Sequence, residues 1–207
     1  MKKALVLILL LVIAVAVWFF VFRKKETGDA GPELQPVSVS QHSDGFNQSF
    51  QKMLDNYYTL TDAFVNWDTS AVNKAAIQLK TSVDSLQMQD LQKDTIIFET
   101  AGSYWNNAQG DLDKMIAKNT IAEKREVLNT LSDNLYNLFR TVRYDQAKVY
   151  WQECPMAFNE TESGFWLSKT DLVQNPYLGT KHPKYGKAML ECGGPKDTLN
   201  FMASQTN

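Results

Sequence analysis

Nineteen consecutive apolar residues, Ala4 to Phe22, run without a charge near the start of this 207-residue chain. As a helix at roughly 1.5 Å per residue they extend about 28 Å, close to the hydrocarbon thickness of a bilayer. The run predicts one transmembrane helix, and whatever follows must fold as a domain tethered to a membrane. Lys2 and Lys3 precede the span, and Trp18, Phe19 and Phe20 lie near its far end. No small-residue cleavage site follows, so residues 1–25 read as an uncleaved anchor rather than a removed signal peptide. Arg23, Lys24 and Lys25 offset the N-terminal lysines, and charge alone does not orient the span. A short tail ahead of a lone span is the usual signal-anchor arrangement, which places the domain outside.

Residues 26–44 carry Gly28, Gly31, Pro32, Pro36 and several serines with little apolar content. Such a composition cannot offset the entropy of ordering and predicts a flexible linker. Residues 45–200 are long enough for one domain with its own core. Charge over the whole chain is mixed: 21 Lys and Arg stand against 23 Asp and Glu, a formal net charge of −2. No basic surface suggests nucleic acid and no acidic tail suggests a solvating arm.

From Phe46, the residues Phe50, Met53, Tyr57, Leu60, Phe64 and Trp67 recur every three or four positions, predicting a helix with Asp44 as its N-cap. Val72, Ala75, Ala76, Leu79, Val83 and Leu86 repeat the period after Thr69 and Ser70, across a join short enough for antiparallel packing. The third run is Ile97, Ala101, Tyr104, Trp105, Ala108, Leu112 and Met115, with Gly102 and Gly110 inside it as candidates for close helix contact or a kink. The fourth opens on the capping box Thr120-Ile-Ala-Glu123 and continues through Leu128, Leu131, Leu135, Leu138 and Val142. The expected fold is mainly α: an up-and-down four-helix bundle preceded by one transmembrane helix. Tyr57, Tyr58, Tyr104 and Trp105 are read as core, and Glu123, Lys124, Arg125 and Glu126 as a solvated face.

After Arg143 the composition changes. Val149-Tyr150-Trp151 and Phe165-Trp166-Leu167 predict short strands, while prolines and glycines interrupt the rest, giving a small irregular/β cap over about 148–195. Four words stand out: Cys154-Pro155-Met156-Ala157, Trp166-Leu167-Ser168, Asn175-Pro176-Tyr177 and Met189-Leu190-Glu191-Cys192-Gly193. In this order, read with the Tyr57-Tyr58 helix, they resemble the domain of unknown function numbered 3347. That domain is found alone or at the C-terminus of periplasmic adaptor subunits of heavy-metal (copper) efflux systems. The resemblance covers about residues 46 to 195. It implies a helical domain in the cell envelope in a context of copper or related metal handling, with heavy-metal efflux components as candidate partners. The N-terminal span adds the expectation of a periplasmic domain held to the cytoplasmic (inner) membrane.

The two thiols and two thioethers of Cys154, Met156, Met189 and Cys192 are soft donors that select Cu(I) or Ag(I) over hard cations, and His182 lies between them as a further candidate ligand. The same two cysteines also fit a disulfide, because a lone pair in an oxidising compartment usually pairs. Closing that loop of about 39 residues stabilises by roughly 4 kcal/mol. Two functions follow: a soft-metal binding or sensing accessory, or a structural adaptor that docks to a membrane partner with the cysteines as a staple. With only His42 and His182, no nucleophile elbow and no phosphate loop, an enzyme is not expected. The carboxylates Glu160 and Glu162 read as part of a solvated turn.

Overall fold

The computed structural model describes residues 40–202. The expected span 4–22 and residues 26–39 of the expected linker lie outside them. Among the described residues no helix is long and apolar enough to cross a membrane. Four helices, α1 (Asp44–Val65), α2 (Thr69–Asp84), α3 (Thr95–Ala117) and α4 (Ile121–Val142), are followed by the strands β1 (Lys148–Phe158), β2 (Glu162–Ser168) and β3 (Gly194–Asn200).

Each helix begins where a short polar side chain satisfies the free backbone donors of the first turn. The Ser43 hydroxyl accepts from the Phe46 N–H, Asp68 from Ala71, and Asp94 from both Ile96 and Ile97. The first cap is thus Ser43 rather than Asp44, and Asp68 caps the second helix. The capping box of α4 is present in full: Thr120 Oγ1 accepts from the Glu123 N–H, and the Glu123 carboxylate accepts from the Thr120 N–H.

The apolar stripes meet as their spacing demands. Phe46, Phe50, Met53, Tyr57, Leu60 and Phe64 of α1 are buried, as are Leu128, Leu131, Leu135, Leu138 and Val142 of α4. Successive helices pack on one another, and α1 also meets α4, where Phe50 and Phe139 cross edge to face at 5.8 Å. A polar junction ties helices to sheet. Ser132 Oγ donates to the Leu128 carbonyl at 2.7 Å, so the Tyr57 hydroxyl donates to Ser132 Oγ and accepts from the Leu167 N–H of β2 at 3.1 Å. Burial pushes the Tyr57 phenol up to about 12, keeping it a neutral donor.

Gly102 and Gly110 mark neither a contact nor a break. α3 runs through both, and a Cβ built on either meets nothing within 4 Å. Each costs helix propensity with no packing return. Gly102→Ala and Gly110→Ala together are expected to stabilise the domain by roughly 1–2 kcal/mol. The urea midpoint of the double variant checks this, and an unchanged or lower midpoint contradicts it.

The C-terminal region is more regular than its composition suggests. Its sheet is antiparallel, in the order β2-β1-β3, and lies on α4. Trp151 of β1 stacks at 4.4 Å on Tyr136 and at 5.3 Å on Phe165. β3 has no counterpart in the expected pattern. It contains Pro195, tolerated because β3 is an edge strand.

Where the described chain begins, it is fastened. Ser40 Oγ donates to Asp145 Oδ1 at 2.7 Å, the Gln41 N–H donates to Asp145 Oδ2 at 2.9 Å, and the His42 ring contacts the Val142 carbonyl through Nε2 at 2.9 Å. These contacts hold residues 40–42 against the turn that joins α4 to β1.

Candidate functional site

The two cysteines lie side by side. Cys154, buried in β1, forms a disulfide with Cys192, which immediately precedes Gly193 and β3; their Cα atoms are 5.5 Å apart across a separation of 38 residues. Two residues of the C-terminal words make the approach feasible. Gly193 has φ +121°, and a Cβ there would collide with the Glu153 carbonyl, so only glycine lets this segment close on β1. Asn175 is fully buried. Its Oδ1 accepts from the N–H groups of Tyr177 and Leu178 at 2.8 and 3.1 Å, and its Nδ2 donates to the Cys192 carbonyl at 3.1 Å. Its own N–H donates to the Leu190 carbonyl at 2.9 Å. A disulfide of this kind suits an oxidising, extracytoplasmic compartment.

The thioethers stand nearby in sequence but differ in setting. Met156 is exposed on β1, past the point where pairing with β2 becomes irregular between Cys154 and Phe158, so the two-residue spacing does not give Cys154 and Met156 the same environment. Met189 is half-buried against the core, and its carbonyl accepts from the Cys192 N–H at 3.1 Å. With both Sγ atoms in a disulfide, a ligand set drawn from these residues exists only in the reduced protein. Among the described residues, no group of three or more His, Cys, Asp or Glu is placed to hold a metal ion.

His182 sits elsewhere, on a cleft of about 440 Å³ whose lining includes neither cysteine. The cleft exists because the end of α1 grips the 175–182 loop. Trp67, beyond the helix at φ +56°, donates through Nε1 to the Leu178 carbonyl at 2.9 Å, and the Val65 carbonyl accepts from the Thr180 N–H at 2.8 Å. Gly179, at φ +54°, passes so close that a Cβ would strike the Val65 carbonyl oxygen and the Trp67 ring. Trp67 therefore belongs to this junction and not to the α1 stripe.

Arg125 forms the floor of the cleft. Its Nε donates to the Pro176 carbonyl at 2.9 Å, one Nη2 hydrogen goes to the Phe64 carbonyl at 3.1 Å, and the guanidinium carbon lies 3.9 Å over the Trp67 ring. The side chain is 5% exposed, and among the described residues no carboxylate pairs with it. Burial holds its pKa down to about 10. His182 Nδ1 accepts from the N–H groups of Lys184 and Tyr185 at 3.2 and 3.3 Å, which puts the neutral ring's proton on Nε2. Burial, then the charges of Arg125 and Lys184, lowers the His182 pKa and keeps the ring neutral.

Lys124 and Arg125 are therefore not on a solvated face. Lys124 is buried, and its Nζ donates to the Met115 carbonyl in the last turn of α3, as Arg125 does to Phe64 in the last turn of α1. Both cations add a second hydrogen bond to a carbonyl in the last turn of a helix, beside the backbone N–H of Trp67 on Phe64 and of Lys118 on Met115, where the helix dipole favours positive charge. A signal was available: the three-four spacing of Leu135, Leu131 and Leu128, carried backwards, lands on Lys124 and Ile121.

Residues 53–147 match the family described as "Protein of unknown function (DUF3347)". The match begins inside α1 and ends just before β1, so both cysteines lie beyond it. No curated protein and no solved structure matches the chain.

Proposed function

Starting from a chain whose residues 53–147 match the DUF3347 family, we propose that this protein is a membrane-anchored accessory of the cell envelope, its domain in the periplasm. It binds a soft monovalent ion, Cu(I), through Cys154 and Cys192 once their disulfide is reduced. The observation that carries this is the 5.5 Å Cα separation of two cysteines from distant segments, close enough for both thiolates to reach one ion. A dithiol reductant delivers two electrons and two protons to the disulfide; metal binding then releases the thiol protons, since thiolates are the ligands. Thiolates and thioethers favour Cu(I), with Ag(I) as its closest analogue, and Met156 and Met189 lie close to the two cysteines in sequence. His182 is left out, because its Nδ1 lone pair is engaged by two backbone N–H groups. The resemblance to domains of heavy-metal efflux adaptors supports the same context, with efflux components as partners, and the role is binding rather than catalysis.

The second function, an adaptor in which the cysteines are only a staple, is favoured by the bonded state of the two sulfurs. Competition for Cu(I) against bicinchoninate, using the full chain in detergent, separates the two. One equivalent bound by the reduced protein, and none by the oxidised protein or by Cys154→Ser/Cys192→Ser, is the expected result. A reduced chain that takes up no Cu(I) leaves the staple alone.

A further inference from the structure

Arg125 is a buried cation with more donors than acceptors. Of the five N–H groups on a guanidinium, two have protein acceptors, the Pro176 and Phe64 carbonyls. Among the described residues Nη1 has none. It is also absent from the fully buried side-chain atoms that lack a partner, which are Asn47 Oδ1 and Gln152 Oε1. Nη1 therefore opens onto the cleft. A charge this deep with a ring and two carbonyls but no carboxylate against it is costly, and such groups are ordinarily paired with an anion.

We propose that this cleft binds a carboxylate carried on an apolar body, its oxygens taken by the free N–H groups of Arg125. Three features select that class. The fork of a guanidinium matches a carboxylate in two parallel hydrogen bonds. His182, with its proton on Nε2 and no acceptor for it among the described residues, adds a neutral donor at the same wall. Trp67, Phe158 and Tyr177 supply aromatic surface for the rest of the molecule, and about 440 Å³ suffices for a small ligand or the end of a peptide. Glu126 and Glu162 line the same cleft without pairing with the guanidinium, and their charge weighs more heavily against a phosphate dianion than against a single carboxylate. The site is separate from the cysteines and stands whether or not Cu(I) binds them.

Calorimetry on the full, oxidised chain in detergent tests it, with N-acetyl-leucine against N-acetyl-leucinamide and inorganic phosphate. The carboxylate is expected to bind at least tenfold more tightly than either. Equal binding of acid and amide, no binding of the acid, or tighter binding of phosphate overturns the assignment. Arg125→Lys keeps the charge but loses the fork, and is expected to weaken N-acetyl-leucine at least tenfold; should that variant not fold, the comparison of acid with amide still decides. A pentapeptide with a free C-terminal leucine, set against hexanoate, then distinguishes the two sources of this chemistry. Tighter binding of the peptide assigns a polypeptide C-terminus, and equal or tighter binding of hexanoate assigns a free organic acid.

Discussion

Replacing Cys154 and Cys192 together by serine is expected to cost about 4 kcal/mol of folding stability, the amount that cross-linking a loop of this length removes from the unfolded chain's entropy. For a domain of this size that corresponds to a fall in Tm of roughly 8–16 °C. The loss concentrates in the segment the bond closes, because β3 begins two residues after Cys192 and pairs with the β1 strand that carries Cys154. Thermal unfolding of the full chain, oxidised, reduced and doubly substituted, measures it; the last two should coincide. Adding Cu(I) to the reduced wild type is expected to recover part of the loss, since a ligand that binds only the folded state raises its stability. A double variant within 1 kcal/mol of the oxidised protein would show that the bond fastens nothing.

Asn175→Ala is expected to cost about 3–5 kcal/mol. The change strands the buried N–H groups of Tyr177 and Leu178 and removes the donor to the Cys192 carbonyl. Each buried group left without a partner costs on the order of 1–3 kcal/mol. Asn175→Asp keeps the acceptor oxygens but loses the donor and introduces a charge at a fully buried position, so it should not rescue. Urea unfolding of both variants decides the matter, and a loss below 1 kcal/mol for alanine would mean that water replaces the side chain at no cost.

The helices were legible because their signal is local and redundant. In α1 and α4 the three-four spacing of large apolar residues coincides with burial, and Thr120 with Glu123 announces the start of α4. The sulfur junction was legible from a different source, the scarcity of cysteine. The resemblance to DUF3347 holds over residues 53–147, although the words that prompted it lie beyond that segment. β3 escaped notice because Gly194, Pro195 and Asp197 argue against a strand, and only its pairing with β1 overrides them. The cleft was invisible for a related reason: Trp67, Arg125, Phe158 and His182 come from four separate segments. Adjacent Lys124 and Arg125 look like surface charge until two helix C-termini arrive beside them.

The fastening of residues 40–42 to Asp145 and Val142 has a mechanical consequence. A pull transmitted along the chain from ahead of residue 40 reaches the domain at the elbow between its helical and sheet layers. Such a load falls on the hydrogen bonds to Asp145 and Val142 as well as on the start of α1.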